Sequence, residues 1–81
     1  RDAKTELQEW AHARHGVTPV YRVTDRTGPD HEPVFKVTVT VEGTQPADGQ
    51  SRSKRAAEQA AATALLEREG VWQANAGQDD D

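Results

Sequence analysis

Residues 49–66 read GQSRSKRAAEQAAATALL, a basic knot running straight into an alanine-rich stretch. Ser53 suits an N-cap, because its hydroxyl accepts a hydrogen bond from a backbone N–H two or three residues on. Behind it Ala57, Ala60, Ala61, Ala64 and Leu65 recur at the spacing of one buried helical face. Arg52, Lys54 and Arg55 therefore stand at a helix N-terminus. That end already carries unpaired backbone N–H groups and the positive pole of the helix dipole. Three cations there cost helix stability and assemble an anion site, for which a phosphate partner is the simplest reason.

Outward from this stretch, composition sets bounds. A chain of 81 residues with 33% apolar residues, two Trp, one Tyr and one Phe makes one small domain with a thin core. No cysteine is present, which excludes a disulfide scaffold and a cysteine-based zinc site and suits a reducing compartment. No apolar stretch is long enough to span a bilayer, so no membrane partner is expected. Arg1 is not a native start, and the chain is expected to be a piece of something longer. The net charge of −4 argues against a nucleic-acid binder only superficially. Asp79, Asp80 and Asp81 carry much of it in a polar tail, and local charge density at the contact surface decides binding.

The first element reads as a helix from about Ala3 to His15, with Asp2 as N-cap and Gly16 as its stop. Ala3, Leu7, Trp10, Ala11 and the stem of Arg14 share a packing face, while Thr5, Gln8 and His12 line a neighbouring uncharged polar face. Val20 to Arg26 reads as a strand and Thr27 to Pro33 as a turn. From Val34 to Val41, Phe35, Val37, Val39 and Val41 point one way and Lys36, Thr38 and Thr40 the other, so one sheet face packs and one is wet. A short third strand over about Thr44 to Asp48 carries Pro46 and belongs at an edge. Gly70 ends the packed region; Val71 and Trp72 have the character to fold back on it. Residues 1–72 are expected to form the domain and 73–81 an acidic, disordered tail. The order α-β-β-β-α predicts an α+β two-layer sandwich, a three-stranded antiparallel sheet with both helices on one face.

With that order, the strings KTELQEW at 4–10, GPDHEPVF at 28–35 and SKRAAEQAAA at 53–62 resemble the double-stranded RNA-binding domain. They are most similar to the C-terminal domain of bacterial ribonuclease III, and the resemblance covers residues 2–69. It implies three contacts on one surface. Thr5, Gln8 and His12 would meet a minor groove, where a Gln amide both donates and accepts and so pairs with a ribose 2′-OH. Gly28, Pro29, Asp30 and His31 match a GPxH loop that would present His31 to the next minor groove. Ser51, Arg52, Ser53, Lys54 and Arg55 would grip phosphates across the intervening major groove.

Two departures from the family pattern are visible. A second glycine two residues after Gly49 is missing, Ser51 standing there, which implies a looser approach to phosphate. Glu58 replaces a third cation one turn past Lys54 and is expected to pair with Lys54 and trim its field.

The resemblance implies a duplex-RNA-binding module that catalyses nothing itself, a monomer in isolation. The parent would be a cytoplasmic, magnesium-dependent homodimeric nuclease with its acidic site upstream of Arg1. A module of a non-nuclease RNA-binding protein, or a degenerate module for protein association, remain as alternatives. Within the chain no cofactor or metal is expected: His12 and His15 share a helix, but a structural zinc site needs about four ligands. Lys36, Thr38 and Thr40 on the wet sheet face exclude the aromatic platform that single-stranded RNA binders use.

Overall fold

Asp2 starts the first helix. Its backbone is extended, and its carboxylate accepts from the backbone N–H of Thr5 at 2.9 Å and from the Thr5 hydroxyl at 2.7 Å. At the other end Gly16 takes a left-handed conformation (φ 68°) and its N–H closes onto the carbonyls of Ala11 and His12. In the computed structural model, which describes residues 2–73, these caps bound α1 (Ala3–His15). The chain continues through β1 (Val20–Thr27), β2 (Val34–Thr40), β3 (Ala47–Ser51) and α2 (Lys54–Arg68). The reading of an acidic tail falls, apart from Gln73, outside the described residues.

The three strands form one antiparallel meander in the order β1-β2-β3, with both helices packed on its apolar face. Val37 and Val39 of β2, with Val41 just beyond it, are fully buried against Leu7, Ala11, Ala57, Ala61, Ala62, Leu65 and Leu66. On the opposite face Lys36 pairs with Asp48 at 3.7 Å, and Thr38 donates to Asp48 at 2.6 Å and lies 3.3 Å from the Thr24 hydroxyl. Among the described residues this face carries polar pairs beside the exposed Val20 and no aromatic ring.

The third strand lies three residues later than Thr44 to Asp48. Thr44 is consumed by the turn, its backbone N–H and its hydroxyl both donating to the Val41 carbonyl at 2.9 Å. The carbonyls of Gln45 and Pro46 are taken by Arg68, at 2.6 and 2.9 Å, so pairing begins at Ala47. Gly49 sits inside this strand opposite Val37 and is buried. A β-carbon there would lie 2.2 Å from the Ala61 nitrogen and 2.7 Å from the Ala57 carbonyl oxygen. Glycine is thus what lets β3 lie directly on α2.

The helical faces also differ in detail from the expected ones. On α2 the fully buried residues are Ala57, Ala61, Ala62, Leu65 and Leu66, whereas Ala60 and Ala64 are half-buried. The helix is covered by the sheet on one side and by α1 on the other, so its apolar stripe is centred later than one-sided packing requires. Arg14 is exposed and adds no stem to the core. Beyond α2, Gly70 turns left-handed (φ 77°), and the N–H groups of Val71 and Trp72 donate to the Leu66 carbonyl at 2.9 and 3.1 Å. Trp72 packs against the core.

Candidate nucleic-acid interface

Ser53 caps α2 as its residue type implies, its hydroxyl accepting from the Ala56 N–H at 3.0 Å. The first turn of α2 contains no acidic residue, and Arg52, Lys54 and Arg55 are all exposed. Among the described residues none of the three forms a salt bridge. By contrast α1 has Glu6 in its first turn and His12, Arg14 and His15 in its last, the usual complement to the dipole. Of the two helices among the described residues, α2 alone concentrates cations at its positive end.

Glu58 does not reduce that concentration in the way expected. It turns away from Lys54 to Lys4 on α1, with Nζ to Oε1 at 2.5 Å. Lys4 reaches it across the Tyr21 ring, its Nζ lying 5.2 Å from the ring centre. Lys54 is left without a carboxylate partner among the described residues.

An open cleft of about 600 Å³ lies between the start of α1, the connection into β1 and the start of α2. It brings together Thr5 and Gln8 from the first helix with Lys54 and Arg55 from the second, beside Lys4, Thr18, Tyr21, Glu58 and Gln59. Thr5 is half-committed: its hydroxyl hydrogen goes to Asp2, leaving it an acceptor for an incoming donor. That bond, the Thr5 backbone N–H and the Gln59 amide hold the Asp2 carboxyl below its ordinary value. Burial pushes the Tyr21 hydroxyl up to about 12, with the Glu58 and Asp2 carboxylates adding to the effect. His12 lies outside the cleft wall and interacts through Nε2 with the Thr18 hydroxyl at 3.1 Å, bracing the connection from α1 into β1.

The third group is placed by strand register. Thr27 pairs with Val34 and Phe35 with Ser51, so the loop 28–33 and the link through Arg52 and Ser53 emerge at the same end of the sheet. Gly28 is left-handed (φ 86°), and a β-carbon on it would lie 2.6 Å from the Glu32 carbonyl oxygen. The Glu32 N–H closes the turn on the Pro29 carbonyl at 2.9 Å. His31 projects from it, exposed. Ser51 is half-buried as the last residue of β3, and Gly49, the glycine ahead of the basic knot, serves sheet–helix packing.

Residues 3–69 match the family described as Double-stranded RNA binding motif. The chain belongs to that family. Its double-stranded RNA-binding domain is similar to the first such domain of protein HYL1, with a TM-score of 0.66 and 31% identity, over 84% of this chain and 96% of that one. Curated relatives named Ribonuclease 3 are closer in sequence. That of Rhizobium rhizogenes is 70% identical over 96% of this chain, and that of Allorhizobium ampelinum 74% identical over 89%. The domain spans only about a third of those relatives, 33% and 30% of their lengths.

Sequence reasoning missed Lys4, Tyr21 and Gln59 as parts of this surface. Lys4 and Glu58 are 54 positions apart, so no local spacing marks them as partners. Among the described residues no cluster of three His, Asp or Glu comes together to hold a metal, and no helix is long and apolar enough to cross a membrane.

Proposed function

We propose that this domain binds duplex RNA by shape and is the substrate-gripping module of a ribonuclease III. The observation that carries this reading is the cleft, where an uncharged reading pair, Thr5 and Gln8, adjoins a cationic helix start, Lys54 and Arg55, that has no acidic residue in its first turn and no salt bridge among the described residues. Phosphates take the cations and the open N–H groups of α2, with Arg52, Ser51 and Ser53 alongside. Gln8 and Thr5 face ribose 2′-OH groups in one minor groove, with His12 one turn further along. The Gly28–Pro29–His31 turn reaches the next groove, at a spacing set by A-form geometry over about 16 base pairs.

The relatives named Ribonuclease 3 support the parent assignment, in which the remaining two thirds of the protein cuts the RNA. As part of the same reading, the parent is a cytoplasmic homodimer joined through its nuclease part. Its magnesium belongs there too, where the phosphodiester is cut. Loss of the domain then weakens substrate capture more than chemistry. The pairing of Glu58 with Lys4 leaves the basic start of α2 free for a ligand, which supports RNA binding over a module for protein association.

The test is a competition of RNA duplex, DNA duplex and single strands of one sequence for the isolated domain at one stated salt concentration. The RNA duplex should win. Equal affinity for both duplexes would reject the reading.

A further inference from the structure

We infer that Lys4, Glu58 and Gln59 form a positioning clasp that sets the distance between the reading residues of α1 and the phosphate grip of α2, without touching RNA themselves. The inference rests on the functional reading above and adds to it the residues on which its geometry depends.

The clasp is built from an unmet need of α1. The first N–H groups of a helix have no partner within it. Asp2 satisfies that of Thr5, but not that of Lys4. The Lys4 N–H is satisfied from the other helix, donating to the side-chain oxygen of Gln59 at 3.3 Å. The amide nitrogen of the same Gln59 donates to the Asp2 carboxylate. One side chain of α2 therefore completes the cap of α1 with both of its polar atoms. Its neighbour Glu58 adds the ion pair with Lys4 at 2.5 Å, where the Lys4 and Glu58 side chains keep 35% and 23% of their exposure.

These interactions flank the functional residues on both helices. Asp2 and Lys4 precede Thr5 and Gln8, while Glu58 and Gln59 lie one turn after Lys54 and Arg55. A shift of α1 along α2 would move Gln8 relative to Lys54. Duplex grooves have fixed widths, so such a shift costs selectivity before it costs charge attraction. The pairing also has an electrostatic consequence, because Lys4 neutralises a carboxylate that would otherwise face phosphate beside Lys54.

Charge and position separate in a double variant. Lys4→Met with Glu58→Gln removes one charge of each sign, so the slope of log affinity against log salt should hold, as every cation that grips a phosphate is still in place. The RNA-over-DNA affinity ratio should fall by about fivefold, the equivalent of one hydrogen bond. Lys4→Arg, which keeps the pair, should retain the wild-type ratio. Gln59→Ala, which cuts the cap hydrogen bonds without changing any charge, should lower the ratio in the same way and gives a second route should the double variant fold poorly. Circular dichroism melts fix a binding temperature at which each variant is folded. An unchanged ratio in folded variants would overturn the clasp while leaving the functional reading intact, and a slope lower by about 1 would make Lys4 a phosphate ligand instead. A wild-type domain without RNA preference would overturn both.

Discussion

Gly49 shows how much one missing methyl group decides. Its strand geometry is open to any residue, yet the space for a β-carbon is filled by the α2 backbone at 2.2 Å from the Ala61 nitrogen. Backbone atoms cannot rotate aside as a flexible side chain would. Gly49→Ala must separate β3 from α2 and loosen the buried Val37, Ala57 and Ala61 at once. The expected cost is at or above the upper end of the usual overpacking range of about 1–3 kcal/mol. In a domain of this size, at about 4–8 °C per kcal/mol, that lowers Tm by about 12–24 °C or more, measurable by thermal unfolding. Gln50→Ala, one residue along and exposed, should stay within about 0.5 kcal/mol of wild type.

At the scale of elements, the two helices divide the work. The first is capped and charged for stability, with Asp2 at its head and basic residues in its last turn. The second keeps cations at its head, where they serve a ligand and not the helix. Lys54→Ala with Arg55→Ala should therefore flatten the dependence of log affinity on log salt by about 2, one for each phosphate left without its cation. Its RNA-over-DNA ratio should hardly move. Gln8→Ala should do the opposite, keeping the slope while the RNA preference narrows by about 1 kcal/mol, because binding a 2′-OH displaces water and no counterion. Titrations of both duplexes across a salt series measure the two quantities together. A flattened slope in the Gln8 variant would show that reading and gripping are not divided between the helices.

The molecule as a whole carries a titration that no single hydrogen bond reveals. The Tyr21 hydroxyl is buried without a hydrogen bond among the described residues, and its ionisation is pushed from 10.0 up to about 12. Above the unfolded value the unfolded chain gains by losing this proton while the folded one does not. The stability that Tyr21 contributes is therefore complete below pH 10.0 and lost as pH rises through about 12. Tyr21→Phe should remove that part of the alkaline loss and leave the domain no less stable at neutral pH, read from melts at several pH values. Much of this architecture was legible in the chain because its signals are local. Asp2, Gly16 and Ser53 mark helix ends within a few residues of themselves, and the alternation from Phe35 to Val41 orients the central strand without help. The third strand was not legible, because Arg68, 22 positions from Pro46, decides which carbonyls are free to pair. For the same reason Glu58 looked like a partner of Lys54 until α1 folded across to supply Lys4. The return of Val71 and Trp72 onto the Leu66 carbonyl has a practical consequence for where the domain ends. The family match stops at residue 69, but cutting there would strip Trp72 from the core and leave oily surface open to other chains. The smallest piece worth expressing therefore runs through Trp72, and a shorter one would betray itself by clumping while still holding all five elements.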